Sequence, residues 1–223
     1  MRSFATTTNR NDKAAKIDAV LRSALNVDAI AGYDMIDIGA GSGHIAAHFA
    51  QANNVIAADV ENQITVKNDR LPFVKLSGAG LPFEAHRFDI AILNQVLTYV
   101  PDPSYTLREV KRILKPSGYC YITLPNRLFP LDPHIRVPFA SYLPSRTYQA
   151  LVNRMRGTHE RVWQFDPATM RSLFEAAGMG WHDFTPRVLH EPAFFHVKMP
   201  MRLPFWKWLT WISPTNIFVL ENI

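Results

Sequence analysis

The stretch "MIDIGAGSGH" (residues 35–44) places three glycines, Gly39, Gly41 and Gly43, within five positions, directly after an apolar run that carries an acid, Asp37. Glycine tolerates positive φ and, lacking Cβ, lets a ligand approach the backbone closely. "YDMIDI" (33–38) reads as a short buried strand and "GHIAAHFAQA" (43–52) as a helix. The glycines therefore sit where a strand turns into a helix, with the helix's first N–H groups exposed to a bound group. Working outward, "NVIAADV" (54–60), "PFVKL" (72–76), "RFDIAILNQV" (87–96) and "YCYITLP" (119–125) read as further strands. "NDKAAKIDAVLRSAL" (11–25), with Asp12 as its cap, reads as a helix. "SYTLREVKRILK" (104–115) is an amphipathic helix with Leu107, Val110, Ile113 and Leu114 on one side, stopped by "PSG". Nearly continuous apolar strands alternating with helices imply a parallel sheet covered on both faces, and right-handed crossovers make it doubly wound.

Past Pro125 the texture changes. Residues 126–158 are rich in Pro, Arg and aromatics and show no clear period. Order returns at "DPATMRSLFEAAG" (166–178), where Asp166 caps, Pro167 fits the first turn and Gly178 fits just past the end. "WHDFTPRVL" (181–189) and "NIFVLENI" (216–223) are expected to be two more strands. The expected fold class is thus α/β: one domain with a Rossmann-like, doubly wound, mostly parallel sheet of seven strands. An insertion rich in Trp, Phe and Pro (190–215) lies between the last two strands.

Composition narrows the function without choosing it. Of 223 residues 48% are hydrophobic and the formal net charge is +5, a globular make-up compatible with anionic partners. The basic residues form no long run, so no nucleic-acid partner is expected. The single cysteine, Cys120, lies between two tyrosines in an apolar run and reads as a packed strand residue. Histidines and acids do not group at ligand spacings, so no metal is expected. The first 18 residues lack an apolar signal core and no stretch is long enough to span a membrane, so the default location is cytoplasmic.

Two cofactor classes use a glycine turn of this kind, dinucleotides and S-adenosylmethionine. A dinucleotide site asks for G-x-G-x-x-G, but here the third glycine comes one position early and His44 takes its place. Asp37 would repel a pyrophosphate and attract a ligand carrying an ammonium and a sulfonium. No Lys-Ser/Thr pair follows, so the loop is not a P-loop. Asp59, 20 residues after Gly39, ends the second strand, where a carboxylate can accept both hydroxyls of a ribose.

The ordered set "MIDIGAGSGH", "AADV", "LPFEAHRFDIAILNQVLTYVPDP" and "LREVKRILKPSGYCYITLPN", over about residues 33–126, resembles the class I S-adenosylmethionine-dependent methyltransferases. The "LPF…FD" pair and "RILKPSG" resemble the branch holding many small-molecule, lipid and sugar methyltransferases. The resemblance implies S-adenosylmethionine as cofactor. Asp37, Gly39, Ala40, Gly41 and Gly43 would bound its methionine moiety. Asp59 would hold the ribose and Val60 would pack on the adenine. Asn94 and Gln95 would line the floor beside the methyl group, and Tyr99 would cover the cofactor. The family's aspartate four residues before the "LPF" leucine is replaced here by Ser77, followed by Gly78; a hydroxyl there accepts a hydrogen bond more weakly than a carboxylate. "NQVL" at the fourth strand's end lacks the "NPPY"-like motif of enzymes that methylate exocyclic base amines.

The acceptor is expected to be a small molecule, sugar or lipid-linked glycan, methylated on oxygen, and bound by the segments outside the shared core. "NRLFPLDPHIRVPFASYLP" (126–144) follows the fifth strand and contains Asp132, His134 and Arg136. It loosely resembles a loop of methyltransferases of bacterial cell-surface biosynthesis, which implies a sugar or lipid-linked sugar. His134 is the candidate base, with a titration range suited to neutral pH; Arg136 is expected to pair with Asp132, and His159 is a weaker candidate. In the 190–215 insertion, Phe194, Phe195, Phe205, Trp206, Trp208 and Trp211 alternate with Lys198, Arg202 and Lys207. Aromatics beside cations suit a peripheral membrane contact or a lipid-bearing substrate, whereas the interspersed prolines favour a lid or subunit contact. The alternative to an enzyme is a non-catalytic protein that keeps the fold as a binding module, binding cofactor without turnover.

Overall fold

The computed structural model describes residues 7–66, 68, 71–77, 80–197 and 213–223. Its centre is a seven-stranded sheet of order β3-β2-β1-β4-β5-β7-β6. The strands are β1 (Asp34–Ile38), β2 (Asn54–Asp59), β3 (Phe73–Lys75), β4 (Phe88–Asn94), β5 (Leu114–Pro125), β6 (Gly180–Asp183) and β7 (Thr215–Glu221). All neighbours are parallel except β7, which runs antiparallel to both β5 and β6. The expected doubly wound sheet is therefore present.

Successive strand residues point to opposite faces, and this alternation sorts the core into two layers. Met35, Ala57, Ile90, Ile92, Tyr121 and Val219 pack with Ile17, Val20 and Leu21 of α1 (Thr7–Leu25), Phe49 of α2 (His44–Phe49) and Val188 further on. Ile36, Ile38, Ala91, Leu93, Cys120, Ile122 and Phe218 pack with Leu107 and Val110 of α3 (Pro103–Ile113) and with Met170 and Phe174 further on. Cys120 is fully buried and its thiol is pushed up by burial, as befits a packing residue.

The segment without a clear period holds a helix, α4 (Ser145–Arg156), whose Tyr148 and Val152 form a small core with Val162. α5 (Pro167–Ala176) starts as the sequence indicates: Asp166 Oδ1 accepts the Thr169 N–H at 2.8 Å. Gly178 has φ +67°, also as expected of a residue past the helix end.

Three expectations are corrected. Residues 181–189 are not one strand: β6 ends at Asp183 and α6 (Thr185–His190) follows. Pro186 cannot donate to a ladder and suits a first helical turn, while Asp183 Oδ1 accepts the Thr185 N–H at 2.9 Å. α1 begins at Thr7, so Asp12 lies inside it rather than capping it. "PSG" (116–118) does not stop α3, which already ends at Ile113. It forms an irregularity within β5, between the pairs Phe88–Leu114 and Ile90–Tyr119, with Ser117 at φ +59°.

Candidate functional site

A cavity of about 340 Å³ runs along the carboxyl ends of the strands. Its wall takes Leu76 after β3, Asp59 and Val60 at β2, Ile38 and Gly39 at β1, and Asn94, Gln95 and Val96 at β4. These four strands are neighbours in that order, so the cavity crosses the point where the strand order reverses, between β1 and β4. That is where open α/β sheets bind ligands.

The glycine turn is built by its backbone. Gly39 and Ala40 both donate to Ala58 O, at 2.7 and 3.2 Å. Gly39 has φ +74°, and a Cβ there would lie 2.5 Å from Val96 Cγ2. Bare backbone at this position thus admits Val96, the residue after Gln95 on the β4 exit. Gly41, at φ +51°, has nothing within 4 Å of a built Cβ, so its surface is open. Asp59 joins the turn to β2: its Oδ2 accepts the Gly41 N–H at 2.8 Å and its Oδ1 accepts the Val60 N–H at 2.7 Å. Each oxygen keeps lone-pair capacity for a ligand hydroxyl. Ala40, Gly41 and Gly43 stand next to the cavity rather than on its wall.

Asp37 is buried, 1% exposed, and neither carboxylate oxygen completes a hydrogen bond. Parity explains its position. Ile36 and Ile38 face the α3 layer, so Asp37 faces the start of α2, beneath the glycine turn. Burial pushes its carboxyl up to about 7; the Ala46 N–H draws it down in part, and the charge of Asp59 adds to the rise. A buried carboxylate without a partner beside a ligand cavity favours a cationic ligand group.

At the other end, α3 supplies Tyr105, Thr106 and Glu109 to the wall, opposite Leu76, Gly80 and Leu81. Glu109 accepts Arg112 Nε and Nη2, both at 2.8 Å, and the Leu81 N–H at 3.1 Å. Arg112 in turn donates to the carbonyls of Phe83 and Leu81 at 2.8 and 2.9 Å. The "RILKPSG" arginine therefore clamps the "LPF" loop, and its guanidinium holds the Glu109 carboxyl below the usual range. Reading α3 for its apolar side alone misses these wall residues. The signal for them is the polar set 105, 106 and 109, one turn apart on the opposite side. Ser77 is exposed and off the wall; Gly78 lies outside the described residues.

The residues expected to bind the acceptor come together only in part. Tyr99 lines the cavity; His134 does not. The two are joined by a hydrogen bond of 2.9 Å between Tyr99 Oη and His134 Nδ1, with their rings edge to face. Arg156, the last residue of α4, lies over the Tyr99 ring at 5.6 Å. Asp132 is buried and accepts Ser141 Oγ at 2.6 Å and the N–H groups of His134 and Ile135, both at 2.9 Å. It forms no ion pair with Arg136 among the described residues, a correction to the expected pairing; the loop's own N–H groups and Ser141 satisfy it instead. His159 lines a separate groove with Arg161 and Trp163. Of the aromatic insertion, Phe195 is buried and Phe194 is exposed. Lys198, Arg202, Phe205, Trp206, Lys207, Trp208 and Trp211 lie outside the described residues.

Comparison with known proteins fits this geometry. Residues 36–122 match the family model described as a methyltransferase domain. A methyltransferase of Mycobacterium avium (strain 104) is 29% identical over 95% of this chain and 83% of its own. The domain match, this relative and the fold together support a class I S-adenosylmethionine-dependent methyltransferase. A more distant relative of this methyltransferase is the ubiquinone biosynthesis O-methyltransferase of Thiobacillus denitrificans, 24% identical over 70% of this chain and 68% of its own. In fold, it is similar to the S-adenosylmethionine-dependent methyltransferase of Mesorhizobium loti (TM-score 0.61, 15% identity, 86% of this chain and 92% of that one). Among the described residues, no helix is long and apolar enough to cross a membrane. Nor does any group of three or more His, Cys, Asp or Glu among them gather as metal ligands.

Proposed function

We propose that the cavity along β3, β2, β1 and β4 binds S-adenosylmethionine and that the enzyme methylates a hydroxyl of a small molecule, sugar or lipid-linked glycan. The observation that carries the cofactor half is the pair of acids: Asp59 in the wall with spare acceptor capacity, and Asp37 buried beneath the turn with only the Ala46 N–H nearby and no cationic partner. Asp59 holds the ribose hydroxyls. Asp37 favours the cationic methionine end over Gly39, with Ala40, Gly41 and Gly43 framing it. Asn94, fixed by Thr123 Oγ1 at 2.7 Å, and Gln95, held at φ +64°, form the floor at the reacting end. Val60 packs on the adenine; with Ser77 exposed, Leu76, Leu81 and the α3 residues do most of the remaining enclosure. The bound cofactor supplies an electrophilic methyl group on a sulfonium. The protein's task is to align the acceptor, exclude water and take up a proton.

The acceptor half rests on the 126–165 region. Phe139 and Tyr142 stack at 5.9 Å on its surface, and Phe139 is 62% exposed at φ +59°. Exposed, amphipathic aromatics suit a sugar face or a lipid-bearing substrate. The O-methyltransferase relative supports oxygen as the target. The composition of residues 190–215 suits a lid or subunit contact, with a peripheral membrane contact as the second reading.

Isothermal titration with S-adenosylmethionine, beside NAD and an Asp59→Ala variant, tests the cofactor site. The expected result is binding of the sulfonium cofactor alone, lost in the variant. Radiolabelled methyl transfer to sugar, lipid-linked glycan and phenol hydroxyls tests the acceptor class; label appearing only on amines or carbon would overturn it.

A further inference from the structure

We infer that Tyr99, backed by His134, is the catalytic group that takes the proton from the methyl acceptor, and that His134 never touches the acceptor itself. The inference rests on the hydroxyl-acceptor reading above. It begins from placement. Tyr99 lies on the cavity wall a few residues beyond Asn94 and Gln95, at the reacting end, whereas His134 is off the wall and reaches it only through the phenol. A base that removes the acceptor's proton must come within hydrogen-bond reach of it, and of these two residues only Tyr99 stands on the wall.

The surroundings suit a two-member relay. His134 Nδ1 stands 2.9 Å from Tyr99 Oη, at hydrogen-bond length. The backbone that carries the imidazole is held in place from behind: the main-chain N–H groups of His134 and Ile135 both donate to buried Asp132, which also accepts Ser141 Oγ. Three groups face His134: Tyr99 from the β4 exit, Asp132 from the same loop, and Arg156 from α4; Tyr148 of α4 lies beyond, against Asp132. Burial first, and Arg156 after it, hold His134 below its usual range, while Asp132 pulls the other way. At neutral pH the imidazole is therefore uncharged and able to accept. The Arg156 guanidinium lies over the Tyr99 ring and holds it from the α4 side.

The proton and electron count closes. The acceptor oxygen bonds to the methyl carbon as its O–H bond breaks. The carbon–sulfur pair stays on sulfur and leaves a neutral thioether. The acceptor's proton goes to Tyr99 Oη while the phenol's own proton goes to His134 Nδ1, and the imidazolium, favoured by Asp132, returns it to water.

Two measurements on the full chain test this. The first is nitrogen-detected NMR of His134 with S-adenosylhomocysteine bound. We expect a neutral ring with its proton on Nε2, and a shifted Nδ1 signal in Tyr99→Phe. A proton on Nδ1 would make His134 the donor and overturn the relay. The second is methyl transfer to two hydroxyl probes at mildly alkaline pH: 4-nitrophenol, already ionised, and methyl β-D-glucopyranoside, which is not. Tyr99→Phe and His134→Ala are each expected to cut transfer to the glucoside about 100-fold, with the double variant no worse, and to spare transfer to 4-nitrophenol. Equal losses on both probes, with cofactor affinity unchanged, would reduce the pair to positioning and overturn the proposal. If the intact enzyme binds cofactor yet methylates neither probe nor any sugar hydroxyl, the hydroxyl reading itself falls and the relay falls with it, while a retained Nε2–H tautomer would separate that failure from the first.

Discussion

The two sides of the cavity are built by different means. The strand ends at Ile38, Asp59 and Asn94 are placed by regular secondary structure: a sheet with period-two burial, two helical layers and one clamp from Arg112. The region 126–165 is held by individual side chains bonded to backbone. Arg127 and Gln164 both donate to Ser141 O, at 2.9 and 3.0 Å. Gln149 bridges Glu160 O and the Val162 N–H at 2.8 and 2.9 Å. Trp163 Nε1 donates to Val100 O at 2.9 Å and Asp132 gathers three donors. Arg136 and Phe139 both take positive φ without being glycine. A period fixes the first side and can change residue by residue. The second has no period and depends on particular pairs, the arrangement expected where specificity rather than fold is being set.

If this contrast holds, damage to one side should leave the other readable. The largest effect is expected from Asp59→Ala, which removes the carboxylate proposed to hold the ribose as well as the ties to Gly41 and Val60. Cofactor affinity should fall about 100-fold or more by titration calorimetry, with the proteolysis pattern of residues 126–165 unchanged. Gly39→Ala should cost about 3 kcal/mol in denaturant unfolding, because the new Cβ meets Val96 at 2.5 Å and φ is +74°. Adding Val96→Ala should recover the steric share but not the backbone share.

Asp37 gives a pH-dependent comparison. Its folded value, about 7, lies above the ordinary 3.8. Its contribution to stability is therefore fully present below about pH 4 and is lost as pH rises through 7. Asp37→Asn should match the parent's melting temperature at pH 4 and exceed it at pH 8, by an equivalent of about 4 kcal/mol in the cofactor-free protein, while binding the cofactor poorly. In the parent, binding a cation should release a proton near neutral pH, visible as a buffer-dependent heat. The smallest global effect is expected on the other side. Asp132→Ala should cost about 2 kcal/mol, leave cofactor affinity within about twofold and lower transfer to an unionised hydroxyl by no more than the roughly 100-fold expected of His134→Ala, by loosening the loop that carries His134.

The same contrast decides what could be read from sequence. Strand and helix order from residue 33 to 125, the glycine turn and the spacing to Asp59 are all written as local patterns, and the chain folds as they indicate. Asp37 was legible as an acid near the turn, but its burial was not. That depends on which neighbours flank it in the sheet, and only the parity with Ile36 and Ile38 shows it facing α2. Residues 181–189 look like a strand in composition, yet Asp183 and Pro186 begin a helix there. The pairing of Tyr99 with His134 spans 35 positions and an irregular loop, so no periodicity announces it. Asp132 looked like a partner for Arg136 because the two are close in sequence. In the fold the loop's own N–H groups reach the carboxylate first.

The antiparallel strand β7 carries a consequence for the order of assembly. It lies between β5 and β6, and in the sheet β6 pairs with it alone. Residues 180–183 therefore have no place to dock until residues 215–221 have been made and inserted beside β5. Just after that strand, Asn222 donates to the carbonyls of Lys111, Leu114 and Lys115 at 3.3, 3.0 and 3.1 Å, at the junction of α3 and β5. On a ribosome the cofactor-side strands can pair early, but one edge of the sheet and the α3–β5 junction wait for the last strand. A nascent chain released before that point would expose the flank of β5, an open edge that chaperones would have to cover.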